Sequence, residues 1–193
     1  MAPAHDPWRE ELAPLLADQH LTRADPGADP EALARAWTLD LLGTLAPLAD
    51  FLAVLPYHYP PAAPEELDAP AESLSERHAP QRADLLATAA VAVQIASGAR
   101  TVLAGEAVEL DDLLSEVETE RTRYEERLLS GPEAERHWGA AVLANLEGAA
   151  KFGALVGVDG PAAGARYAHV MTRIAALAIH AAAAVDEDSD AAV

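Results

Sequence analysis

Arg166, His169, Arg173 and His180 recur at helical spacing near the end of the chain and share one side of a helix. Arginines in such a row grip phosphate or carboxylate bidentately, which makes the row a candidate ligand-binding stripe for an anion. The same row also suits a purely structural role, paired with an acidic neighbouring helix. Acids supply the second candidate. Glu109 and Asp112 stand three apart, and Asp112, Glu116 and Glu120 follow at steps of four. Carboxylates so spaced can share a hard cation such as Mg²⁺ or Mn²⁺. With Arg166 or Arg173 on the phosphate, these acids would make a small metal-dependent hydrolase of a phosphorylated small molecule or nucleotide. That chemistry wants a second acidic cluster on a partner helix. Asp40 and Asp50 in one apolar segment and Glu147 in another are all that is offered. A solvated acidic face is the simpler reading.

Other chemistries fail on spacing. A carboxylate-bridged di-iron bundle wants Glu-x-x-His on two helices, whereas Glu133 and Glu135 stand four and two residues from His137. There is no Gly-x-Ser-x-Gly elbow, and Ser97-Gly98 inside a helical pattern is a packing point. Neither a P-loop nor a dinucleotide fingerprint occurs. Cysteine is absent, so disulfides, thiolate metal sites and cysteine nucleophiles are excluded together. No cofactor is expected. Tyr57-His58-Tyr59 stands out in a Pro-rich stretch, where the two rings pin the chain onto a bundle or cap a pocket.

The elements that must position these residues are all helical. Apolar residues recur at steps of three and four, with no strand-like alternation of useful length. A short first segment follows Asp6-Pro7, with Leu12, Leu15 and Leu16 on one face and a kink expected at Pro14. The main helices are expected over 28–55, 80–104, 111–130, 132–157 and 161–185. Asp29-Pro30-Glu31 caps the first of these. Its stripe runs from Leu33 through Trp37, Leu41, Leu45 and Leu48 to Leu55, with Leu39, Leu42 and Phe51 widening it. Pro47 predicts a kink near Gly43–Thr44. Residues 56–79 form a Pro-rich connection, in which Ser73-x-x-Glu76 has capping-box spacing. Leu113, Leu114, Val117 and Tyr124 join Leu110 in a narrow seam on the acidic helix. Gly157 to Gly160 turns the chain between the last two helices, and acids make 186–193 a disordered tail. The expected architecture is an all-α single domain over 1–185: a bundle of five to six helices.

Charge narrows the function classes. The chain carries −19 over 193 residues, so direct binding to a nucleic-acid backbone is not expected. The opening MAPAHDPWREE lacks a basic and then apolar leader. Leu85 to Ala99, the longest uncharged apolar stretch, is short of the about 20 residues that a bilayer needs and suits a core helix. A soluble cytoplasmic protein is the expectation. From Trp138 to Val185 three basic residues meet two acidic ones, leaving +1. Such a hairpin must be covered, by the rest of the bundle or by a second copy. The expected function is non-enzymatic: an acidic helical protein acting by protein association, as a homodimer through the C-terminal hairpin. Ala141, Ala149, Ala175, Ala176 and Ala182 are the expected seam.

Overall fold

Asp29 starts its helix by local chemistry alone. Its carboxylate accepts the Glu31 amide at 3.3 Å, and Pro30 occupies the first helical position, where a missing N–H costs nothing. In the computed structural model, which describes residues 7–18, 29–48, 74–125 and 132–190, six helices are laid out this way. They are α1 (Pro7–Asp18), α2 (Pro30–Leu45), α3 (Leu74–Gly98), α4 (Leu110–Glu125), α5 (Pro132–Asp159) and α6 (Pro161–Asp190). No strand occurs among the described residues. The fold is an all-α bundle, as expected.

α6 is the central helix. It packs most extensively on α3, then on α5 and α4, while α2 bridges α3 and α5 and α1 lies on α3. Met171, Ile174 and Leu177 of α6 are fully buried, as are Leu85, Ala89, Ala92, Val93, Ile95 and Ala96 of α3, while Tyr167, buried too, turns to α2 and Gly153 of α5. The Leu85–Ala99 stretch is thus a core helix. Ala and Gly at these contacts let backbones approach closely. At Gly164 an added Cβ would stand 2.7 Å from the Leu103 carbonyl carbon and 2.9 Å from the Ala104 nitrogen. Gly98 meets the Trp37 indole in the same manner, 3.1 Å from where a Cβ would be, so Ser97-Gly98 is a packing point.

Several boundaries differ from expectation. α-Helical geometry in α2 stops at Leu45 and tightens into a 3₁₀ turn over Ala46–Leu48. Pro47 has no N–H for the Gly43 carbonyl, and in place of the expected kink near Gly43–Thr44 the α-helix ends. Phe51, Leu55 and most of the Pro-rich connection, including Tyr57-His58-Tyr59, lie outside the described residues. α3 begins at Leu74, six residues before the expected start at Pro80, and directly after Ser73. Its far end widens into a π-helical turn over Ala99–Ala104, closed by the Glu106 amide on the Arg100 carbonyl at 2.8 Å. α1 passes through Pro14 as one helix. α5 persists through Gly157 to Asp159, and Gly160 alone, at φ 55°, makes the turn. α6 continues through the acidic residues to Asp190. Beyond Ala181–Ala184 no Gly or Pro interrupts it, and each added residue gains a hydrogen bond once the helix exists.

Two faces were misassigned by periodicity. Leu39 and Leu42 do not widen the buried stripe of α2; Leu39 is 61% exposed, and Ala34 takes the inner position instead. Leu110 opens α4 on its exposed side, so the seam there is Leu113, Leu114, Val117 and Tyr124.

Candidate functional site

The basic stripe of α6 lies on the outer side of the bundle, and its members part company. Arg166 is exposed and sets its guanidinium 5.9 Å from the Phe152 ring of α5. Arg173 reaches the other way: its Nε donates to the Tyr124 hydroxyl of α4 at 3.0 Å, with the guanidinium carbon 6.0 Å from that ring. His169 between them is exposed, and His180 is half-buried. Among the described residues neither Arg166 nor Arg173 makes an ion pair. Among the described residues the two arginines meet Phe152 and Tyr124 in place of the expected acids of α4.

The acids of α4 have arginines of their own. Arg100, on the π turn, reaches Glu116 at 2.5 Å and Glu106 at 4.0 Å. Glu120 is buried and held by Arg123 one turn on. Glu118 takes both Arg121, at 2.7 Å and 2.8 Å, and the Trp8 indole N–H of α1 at 3.2 Å. Glu109 and Asp112 are exposed. Among the described residues no three His, Asp or Glu side chains gather as a metal-holding group. Glu109, Asp112, Glu116 and Glu120 thus lie along one helix and its approach, two of them neutralised by arginine, without a partner cluster across a cleft.

The surface that stands out is on α5. Its inner face, Val142, Asn145, Ala149, Gly153 and Val156, is buried on α6 and α2. Asn145 is satisfied there by its own helix, donating to the Ala141 carbonyl at 2.7 Å. The outer face carries Ala140, Leu143, Ala144, Glu147, Ala150, Lys151, Ala154 and Val158, all exposed. Leu143 is 49% and Val158 81% exposed. Two helical stretches here are apolar and long enough to cross a bilayer, and they behave oppositely. In Arg82–Ala104 61% of the most apolar window is buried in the bundle; in Ala140–Asp159, 20 residues long, only 28% is.

The residues expected to form a dimer seam lie mostly on the inside. Ala149, Ala175, Ala176 and Ala182 are buried inside one copy, so they are spent on the bundle itself. The low charge of Trp138–Val185 pointed to this hairpin, but the alanines expected at a seam are not the residues on the outer side of α5. The Trp138 side chain lies outside the described residues. The sequence does carry the missing signal: from Ala140 to Val158 the outer side of α5 holds only Glu147 and Lys151 as charges among Ala, Leu and Val, fewer than a solvated helix face usually has.

Compared with known proteins, the chain matches no family model, no curated protein and no solved structure. Fold and surface define a class only: an all-α bundle whose penultimate helix exposes an apolar face.

Proposed function

We propose that this chain is a non-enzymatic, acidic helical protein that works in the cytoplasm by associating with another protein chain through the outer face of α5. The observation that carries the reading is the 20-residue apolar stretch of α5, half of whose residues are exposed. An exposed apolar patch along a whole helix marks an interaction surface more often than a solvated one. Depletion of charge supports the same reading. Between Ala140 and Val158 the only charges are Glu147 and Lys151, in a chain of −19, and interface cores are depleted in charge. A metal-dependent hydrolase has no comparable support, since arginines already hold Glu116 and Glu120.

Site-specific photo-crosslinking tests the reading. A photoreactive residue in place of Ala144 is expected to give protein adducts in the cells that make this protein, while the same residue in place of exposed Thr101, on the π turn, gives none. Absence of a protein adduct from position 144 sinks the proposal.

A further inference from the structure

The outer face of α5 is complementary to itself in reverse, and from this we infer that its occupant is a second copy of this chain, laid antiparallel across a two-fold axis beside Ala149. The inference rests on the reading of α5 as an association surface and commits that surface to one partner. A two-fold contact places the same patch on both sides, so the patch must match its own reversal. Reversing α5 about position 149 carries Ala140 onto Val158, Ala144 onto Ala154, and Glu147 onto Lys151. All six are exposed on one side of the helix. Apolar side chains then meet apolar ones, and the two charges meet as opposites.

Charge is what fixes the direction. Glu147 precedes Lys151 by four residues, the favourable order for a pair within one helix, yet among the described residues no ion pair joins them. The Lys151 ammonium lies 6.0 Å from the Phe152 ring instead. About 6 Å of helical rise separates the two positions. In the antiparallel arrangement each carboxylate stands level with the other copy's ammonium, and two ion pairs form across the axis. A parallel arrangement would set Glu147 on Glu147 and Lys151 on Lys151. Alanines at 140, 144, 150 and 154 allow the helix axes to approach to about 8 Å, the close end of ordinary helix packing.

A bilayer is the other medium that such a helix fits, and the same two residues argue against it. Lipid would receive Glu147 and Lys151 at the middle of the buried face, where two charges are costly even when they pair with each other. An anionic leaflet would also repel a chain of −19. A second copy neutralises both charges where they stand.

Sedimentation velocity of the full chain in about 0.15 M salt, where repulsion is screened beyond about 8 Å, tests the inference. The wild type is expected to dimerise at micromolar concentration. Glu147→Lys alone and Lys151→Glu alone are each expected to weaken the dimer at least about tenfold, because each sets like charges face to face twice. An equimolar mixture of the two variants should recover a heterodimer of wild-type affinity, and the double variant Glu147→Lys/Lys151→Glu should recover a homodimer. Both substitutions are at exposed positions, and an unchanged helical circular-dichroism spectrum verifies folding. Single variants that dimerise like the wild type, alongside an Ala144→Arg variant that does not, overturn the antiparallel pairing while leaving α5 as the surface. A wild type that stays monomeric overturns the second copy. Adducts of another protein at position 144 would then preserve the association reading, and binding of the monomer to anionic or neutral vesicles would replace both with a lipid surface.

Discussion

Tyr167 donates its phenolic hydrogen to the Ala34 carbonyl across 2.9 Å, joining the second turn of the central helix α6 to α2. Thr38, one turn along α2, places its hydroxyl 2.9 Å from both of those oxygens. Burial pushes the phenol up to about 12; the Thr38 hydrogen bond opposes that shift, and the Asp40 charge adds to it. A folded value above the ordinary 10 means that the fold favours the protonated phenol. Its contribution is whole below pH 10 and is lost as pH rises through about 12. Tyrosinate absorbance followed against pH should show one late-titrating group that disappears in Tyr167→Phe. That variant should cost about 1 kcal/mol in urea denaturation. A phenol ionising near 10 while the protein is still folded would put Tyr167 in contact with water.

Two glycines should respond to alanine with opposite signs. Alanine gains up to about 1 kcal/mol over glycine within a helix. At Gly148 the new methyl would rest 3.5 Å from Val170, an ordinary contact, so Gly148→Ala should stabilise by about 0.5–1 kcal/mol. At Gly164 it would press on the Leu103 and Ala104 backbone. Overpacking of that kind costs about 1–3 kcal/mol, so Gly164→Ala should be a net loss. Equal signs in chemical denaturation would show that the π turn gives way.

α1 should loosen first in acid. Arg82 of α3 holds Glu11 through contacts of 2.5 Å and 2.9 Å, and this hydrogen bond lowers the carboxyl below its ordinary value, against burial and with help from the guanidinium charge. A lowered folded value gives stability that is present above the unfolded pKa of 4.5 and is lost as pH falls through the folded one. The pair is partly exposed, so the effect is small, at most about 1 kcal/mol. Amide exchange in Pro7–Asp18 should accelerate on acidification before exchange in α6 does. Loss of protection in both at once would remove Glu11 from the account.

Leucines in α2 and isoleucine in α6 separate the inner face from the outer one. Leu45→Ala and Ile174→Ala should each cost about 2–5 kcal/mol, since both side chains are buried. Leu39→Ala should stay within about 0.5 kcal/mol of wild type. A loss at Leu39 as large as that at Leu45 would show the exposed side of α2 to be covered in solution.

Arg173 offers a test of the basic stripe. With its Nε on the Tyr124 hydroxyl, Arg173→Gln should cost no more than about 1 kcal/mol. Inorganic phosphate, with or without Mg²⁺ or Mn²⁺, should leave Tm unchanged in both proteins. A phosphate-induced rise in Tm that vanishes in the variant would make Arg166, His169 and Arg173 an anion site, because a ligand stabilises only the state that binds it.

Helix starts and the all-α class were legible in the residues themselves, because Asp29, Pro30 and the steps of three and four act within a turn or two of chain. So was the core role of Leu85–Ala99, whose apolar residues leave no polar side to expose. Tertiary structure alone decided which way the ambiguous faces turn. Leu39 looks as apolar as Leu41, and only the positions of α3 and α5 beside α2 send one outward and the other in. Tyr124 rather than an acid meets Arg173 for the same kind of reason: both helices contribute, and no local rule links residues 49 positions apart. On α5, where Glu147 and Lys151 are the only charges from Ala140 to Val158, composition cannot say how much of the helix the bundle covers. The placement of α2 and α6 buries Val142, Ala149 and Val156 and leaves Ala144, Glu147, Lys151 and Val158 to the outside, because α5, unlike the central α6, packs mainly on these two neighbours on one flank.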